Sequence, residues 1–393
     1  MLPYLRFDLR PTILSRANLS KVSMFLKQYG PCITYLCVNM AFESEDNFPV
    51  NCLPNISLSN LKTLEFHVNI RGEQRPSFRT DLETTRHNFL ASLLNCAPQL
   101  ESLVFWCDSE NILWPDQVIQ AFSQCPNLSN CLRHLKLSFP MRNNFCTCLR
   151  DLSERKFPLK SFTLVIREPI LISPDIIFSL LSSFQPTLEE LTIVDLQGSY
   201  SKPIELPHLP VLKSLTFEGA LVGGNCTLYL NKFSFSRVPQ LKKLVLKYCH
   251  QFNFDMQSLL YCSHYPHLNL TELHVSLEKN CFDTHCVIQA SILFPRLKVL
   301  NIDFNSESKF ILRDVFQQMQ TIQELTVNLR KCEQCIDDVL CGLPTDFCDE
   351  MKGRGVSNDC VFLIQSAHDW TDLCEYPSLK DMISEWNYFG YIF

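Results

Sequence analysis

The chain is poor in glycine, with ten residues in 393. Nucleotide chemistry needs glycine wherever backbone approaches a phosphate closely, so this scarcity argues against a dinucleotide-binding or P-loop enzyme. Basic charge is not in excess either. Thirty-five Lys and Arg stand against 41 Asp and Glu, a formal net charge of −6, which leaves no electrostatic footprint for nucleic acid. No apolar run reaches the roughly 18 residues of a membrane-spanning helix, so no membrane partner is expected. Met1 to Leu14 contains Arg6, Asp8 and Arg10 and has no apolar signal-peptide segment. A cytoplasmic or nuclear location is therefore expected. Gly-x-Ser-x-Gly, His-Glu-x-x-His and Gly-x4-Gly-Lys sequences do not occur. The reading is of a non-enzyme without a cofactor.

What the chain does have is apolar bulk and sulfur. Hydrophobic residues make up 46%, enough to exclude wholesale disorder, with 29 Phe and 20 Cys among the residues. In a reducing compartment free cysteines behave as small core hydrophobes. Cys96, Cys125 and Cys262 fall at the ends of helical stretches and are expected to be buried, unpaired thiols. Asn-x-Ser/Thr triplets begin at Asn18, Asn55, Asn127, Asn225 and Asn269. That number is about what chance gives, and they are not read as glycosylation sites, which need a secreted context.

One phrase recurs: an apolar residue, two variable residues, Leu, one variable residue, an apolar residue. Leu61-Lys-Thr-Leu64-Glu-Phe66, Leu132-Arg-His-Leu135-Lys-Leu137, Leu241-Lys-Lys-Leu244-Val-Leu246 and Leu297-Lys-Val-Leu300-Asn-Ile302 are clear cases. Starts fall at Leu2, Ile33, Leu61, Leu100, Leu132, Leu159, Leu188, Leu212, Leu241, Leu270, Leu297 and Ile322. Between Leu2 and Ile322 the mean spacing is about 29 residues. Helical spacing follows many copies, as at 87–95, 115–124, 174–184, 255–261, 286–293 and 312–319. Prolines then recur before the next phrase, at Pro98, Pro126, Pro158, Pro186, Pro210, Pro239, Pro266 and Pro295. A proline there stops a helix and favours extended entry into a strand. Each unit reads as strand, loop, helix, and units that cannot bury an apolar face alone stack into a curved solenoid. A doubly wound α/β fold would not repeat one strand phrase twelve times.

The phrase assigns faces. Its apolar positions point into the core, and the residues between them point to the concave sheet surface. From the second copy on, the fifth position reads Cys37, Glu65, Val104, Lys136, Thr163, Thr192, Thr216, Val245, His274, Asn301 and Thr326. The seventh reads Asn39, His67, Trp106, Ser138, Val165, Val194, Glu218, Lys247, Ser276, Asp303 and Asn328. These columns mix signs and apolar residues, as a protein-binding patch does and a phosphate-tracking surface does not. The candidate partner-binding residues are Glu65, His67, Trp106, Lys136, Glu218, Lys247, His274, Asn301, Asp303 and Asn328. Trp106 is either an interface anchor or packs on a neighbouring strand. His67 and His274 read as recognition or solvated residues rather than catalysts.

Twelve copies at this period resemble the leucine-rich repeat over nearly the whole chain. That resemblance implies an α/β horseshoe: a parallel concave sheet, a helical convex side and about 12 irregular repeats. Asn or Cys three residues beyond the last apolar position is matched at Asn69, Cys249 and Asn305, while other copies carry Ala41, Asp108, Pro140 or Arg167. The period and the helical back segments resemble the cysteine-containing repeats of F-box proteins and the ribonuclease-inhibitor type. Leu26 to Leu36 resembles the segment opening the repeats of arthropod F-box/leucine-rich-repeat proteins. The resemblance implies a substrate-binding subunit of a cullin-RING ubiquitin ligase, joined to the ligase adaptor through an N-terminal F-box module that this sequence does not show. The alternatives are the ligand-sensing repeats of an innate-immune receptor and a secreted adhesive repeat protein.

The solenoid reads as residues 1–330, followed by decayed repeats and a Cys-rich cap over 331–393. Tyr376-Pro-Ser-Leu379 echoes Phe294-Pro-Arg-Leu297, and Trp386, Tyr388, Phe389, Tyr391 and Phe393 would cover the last core layer. Cys332 and Cys335 form a single Cys-x-x-Cys pair, where zinc commonly takes two. They read as core residues, and no metal is expected. The first phrase begins at the second residue, so an open edge exposing Leu2, Leu5, Phe7, Leu19, Val22 and Leu26, with self-association of the chain, is expected.

Overall fold

The structure is a computed structural model. It describes residues 4–9, 16–42, 56–70, 90–107, 122, 125–139, 145–166, 174–195, 206–219, 235–247, 266–277, 284–304, 318–319, 321–329 and 361–366. Each of the twelve phrases supplies a strand: β1 Tyr4–Leu9, β2 Tyr35–Phe42, β3 Thr63–Ile70, β4 Ser102–Cys107, β5 His134–Phe139, β6 Ser161–Ile166, β7 Glu190–Asp195, β8 Ser214–Gly219, β9 Lys243–Lys247, β10 Glu272–Leu277, β11 Val299–Phe304 and β12 Glu324–Leu329. A further strand, β13, runs Val361–Ser366. The chain divides into two compact units, Met1–Val211 and Leu212–Phe393. In the first, β1 to β7 pair in chain order, every pair parallel. In the second, β8 to β13 do the same. This is a repeat-like parallel α/β arrangement in each unit.

Parallel neighbours require a crossover between strands, and helices occupy several of them: α1 Arg16–Tyr29, α2 Leu128–Cys131, α3 Phe145–Glu154, α4 Pro174–Ser183 and α5 Thr284–Leu293. Residues 90–95 are helical as well. Helices α3 and α4 pack together. The helical stretches expected at 174–184 and 286–293 are present as α4 and α5. Those at 255–261, and most of 115–124 and 312–319, lie outside the described residues.

The phrase explains the core. In ten consecutive copies, from the one starting at Ile33 to the one starting at Leu297, all three apolar positions are buried; Leu61, Leu64 and Phe66 are 0% exposed. Period-2 alternation sends the fourth and sixth positions of every strand to the same side. Aromatic rings carry packing from one copy to the next, as in Phe66 on Phe105 at 5.9 Å and Phe122 on Phe157 at 6.1 Å.

Backbone groups close the same way in successive copies. The carbonyl of the second phrase position accepts two N–H donors from the following copy: Lys62 from Glu101 and Ser102, both 2.9 Å, and Lys242 from Thr271 and Glu272, both 2.9 Å. A buried residue three positions before the phrase (Leu58, Val238, Phe294) accepts the N–H of the phrase's first residue, at 3.0 to 3.1 Å. The residue just before the phrase often ties back to the previous copy. Asn60 and Asn269 donate side-chain amides to the Pro31 and Pro239 carbonyls at 2.6 and 2.8 Å. Thr187 and Thr321 donate hydroxyls to Leu159 and Leu297 at 2.8 and 2.7 Å.

One copy places a histidine three positions before the phrase. His267 is buried, with its ring against Phe235 at 5.0 Å and its Nε2 3.1 Å from the Val238 carbonyl. Burial pushes its pKa down, opposed in part by the hydrogen bond to Val238. A depressed histidine stabilises the fold above its unfolded value of about 6.5, and that contribution is lost as pH falls. Between about pH 7.5 and 5 the wild-type chain should therefore lose more unfolding free energy than His267→Gln, whose amide can still donate to Val238. Urea denaturation at both pH values measures this, and equal losses would contradict it.

Several expectations need correction. Leu26 is buried, not exposed: it lies on α1 four residues before Gly30, which is buried in the turn that follows, so both face inward. The side chains of Leu2, Leu5, Phe7, Leu19 and Val22 lie outside the described residues. Cys125 is buried as expected, but Cys96 is half-buried, because it terminates the 90–95 turn beside exposed Pro98 and Gln99. Cys262 lies outside the described residues, as do Cys332, Cys335, Leu379 and the terminal aromatic run. Cys32, Cys96, Cys125 and Cys131 carry no disulfide. Burial, helped by neighbouring Cys96, pushes the Cys125 thiol up to about 11. The thiolate is the reactive species, so Cys32, exposed, should react with maleimide in the native chain while Cys125 reacts only after denaturation. Peptide mapping reads this, and equal rates would contradict the burial of Cys125. Among the described residues no helix is long and apolar enough to cross a membrane.

Candidate functional site

The strand register sets like phrase positions side by side. In the first unit the fifth position runs Cys37, Glu65, Val104, Lys136, Thr163, Thr192, and the seventh runs Asn39, His67, Trp106, Ser138, Val165, Val194. In the second unit Thr216, Val245, His274, Asn301 and Thr326 form one row. Glu218 stands beside Lys247, and Ser276, Asp303 and Asn328 are neighbours in that order. The columns read from sequence are thus real columns within each unit.

Their exposure is uneven. Glu65, His67, Trp106, Lys136, Glu218, Lys247, His274 and Asn301 are half-buried. Cys37, Ser138, Val165, Val245 and Thr326 are buried, Ser138 fully, while Val104, Thr163, Thr192, Val194 and Thr216 are half-buried. Neighbouring strands lie about 4.8 Å apart, so a large side chain on one strand overhangs a small one on the next. The side chains of Asp303 and Asn328 lie outside the described residues.

Two local groupings stand out. Lys136 Nζ lies 5.3 Å from the centroid of the Trp106 ring, a cation over an aromatic face. The register pairs Lys136 with Val104 and Trp106 with Ser138, so the lysine reaches diagonally across the β4–β5 pair. Such a contact is worth about 0.5–2 kcal/mol, depending on how far it is desolvated. Trp106 therefore packs on its neighbouring strand while keeping part of its surface open. One copy earlier, His67 Nε2 lies 3.3 Å from Glu65 Oε2. The Cys37 thiol beside them, whose Sγ is 3.7 Å from Asn39 Oδ1, completes a set in which a sulfur, a carboxylate oxygen and a ring nitrogen all lie within 4.8 Å of one another. Sequence reasoning singled out Glu65 and His67 and passed over Cys37. The available signal was its place in the same column as Glu65, one copy before.

Ion pairs flank the columns at the strand entries: Lys62 with Glu101, Lys160 with Glu189 at 3.9 Å, and Lys243 with Glu272. The hydrogen bond from Lys62 holds the Glu101 carboxyl below its ordinary value. These pairs join successive copies, but their lysines are exposed and their carboxylates at most half-buried, and pairs so open to water contribute little. No model of a known protein family matches the chain, and no curated protein matches it.

Proposed function

We propose that the chain is a non-enzymatic protein-recognition scaffold of the leucine-rich-repeat type, with the paired fifth and seventh columns as its binding face. The observation that carries this reading is the in-register display of mixed side chains on a rigid parallel sheet, centred on Trp106 beneath Lys136. A half-buried Trp with a cation at its face offers apolar area and a site for a partner's carboxylate together. Tryptophan, arginine and tyrosine dominate interface anchors for this reason. Mixed charge along the columns, with Glu65 and Lys136 in one row of the first unit and Glu218 beside Lys247 in the second, favours a protein over a polyanion. On the resemblance of its repeats to F-box/leucine-rich-repeat proteins, the chain is a substrate-binding subunit of a cullin-RING ubiquitin ligase acting in the cytoplasm or nucleus. The ligand is then a protein marked for ubiquitin transfer.

A pulldown of the tagged chain, read by mass spectrometry, tests both levels against a Trp106→Ala, Lys136→Glu variant. At least one protein should be enriched by wild type and lost by the variant. Truncation at an anchor costs about 2 kcal/mol or more, roughly thirtyfold in affinity. Cullin and adaptor captured by both would support the ligase assignment, and their absence would leave a recognition scaffold alone; identical captures by both chains would remove the binding face.

A further inference from the structure

We propose that Cys37, Glu65 and His67 form a zinc-binding site. The proposal goes beyond protein recognition and does not depend on it. Cys37 on β2 is the register partner of Glu65 on β3, and His67 lies two residues further along β3. Alternation along the strand sends all three to one face of the sheet. Their donor atoms lie within 4.8 Å of one another, and His67 Nε2 is 3.3 Å from Glu65 Oε2. Zinc bonds of about 2.0–2.1 Å to nitrogen and oxygen and about 2.3 Å to sulfur give tetrahedral edges of roughly 3.3–3.6 Å. The histidine–glutamate separation already has that length, and the thiol needs only side-chain adjustment.

The scaffold holds the donors in place. Between and beside them on the opposite face, Leu36, Val38, Leu64 and Phe66 are buried, and β2 and β3 are each paired on both sides. Cys37 is 4% exposed, whereas Glu65 and His67 are open enough for an ion to enter. The donor set selects the metal: thiolate and imidazole suit zinc, while calcium and magnesium take oxygen ligands. Binding forms a zinc–sulfur bond as the Cys37 thiol releases its proton to solvent, and no electrons are transferred. His67 contributes the Nε2 lone pair and Glu65 one carboxylate oxygen. Three protein donors leave the fourth position to water.

Cobalt(II) titration of the full chain tests the site, because cobalt takes zinc's ligands and a thiolate ligand gives a near-ultraviolet charge-transfer band. Wild type is compared with Cys37→Ser, His67→Gln and, as a control at an exposed thiol, Cys32→Ser, with zinc as competitor. Cys37→Ser should lose one thiolate's share of the band. His67→Gln should weaken cobalt binding at least about tenfold, the lower end of what even outer-shell partners contribute. Cys32→Ser should match wild type. His67 is half-exposed, so its variant remains informative if Cys37→Ser does not fold. A His67→Gln titration indistinguishable from wild type, or a full band in a folded Cys37→Ser chain, overturns the proposal whatever the pulldown with the Trp106 variant shows.

Discussion

Phe66→Ala should lower the unfolding free energy of the chain by about 3–5 kcal/mol. Phe66 holds the sixth position of the third phrase, is fully buried and stacks on Phe105 of the next strand. Its register partners are Val38 and Phe105, so the lost ring leaves a void shared by three successive strands. In an array where each unit rests on its neighbours, an interface loss is felt on both sides. Since whole domains are stable by only about 5–15 kcal/mol, the variant should unfold at markedly lower urea. Exposed His208 supplies the control, since His208→Ala should change stability by no more than about 0.5 kcal/mol. Far-UV circular dichroism in urea measures both. A Phe66→Ala loss under about 1 kcal/mol would mean that the phrase's sixth position does not bear on the core as argued.

Gly30→Ala should destabilise the first unit by about 3 kcal/mol, the upper end of ordinary overpacking. A Cβ at Gly30 would collide with the carbonyl oxygen of Ser57 and press on Leu58 Cδ2 at 3.3 Å. Neither wall yields easily. Leu58 N–H donates to the Cys96 carbonyl at 2.9 Å, Leu58 O accepts from Leu61 at 3.0 Å, and Gly30 O accepts from Ile33 at 3.1 Å. The close approach of two backbone segments from successive copies is what requires glycine here. The melting temperature of Gly30→Ala should fall by several degrees, and an unchanged or raised value would contradict the packing described.

The strands were legible because three apolar positions recur in one phrase twelve times, and buried Leu, Ile and Phe at those places is what a sheet packed on a core needs. β13 escaped because its register partner for Glu324 is Val361, which puts Asp359 where the phrase has an apolar residue. Helix α3 was passed over although Phe145, Cys148, Leu149 and Leu152 fall at i, i+3, i+4 and i+7, the spacing of one helix face, and Leu149 and Leu152 are buried. The columns of the candidate face were legible from alternation alone. Burial within them was not, since Ser138 is hidden by the size of its neighbours rather than by its own type. The need for glycine at Gly30 depends on Ser57, 27 residues away, and no local pattern announces it.

Site-specific photo-crosslinking in cells tests the central claim most directly. A photoreactive amino acid is placed in turn at Trp106, at Lys136 and at Lys298, an exposed residue at a strand entry outside the columns. The account predicts protein adducts from positions 106 and 136 and none from 298. Adducts from 298 alone, or equal yields at all three positions, would contradict recognition through the paired columns.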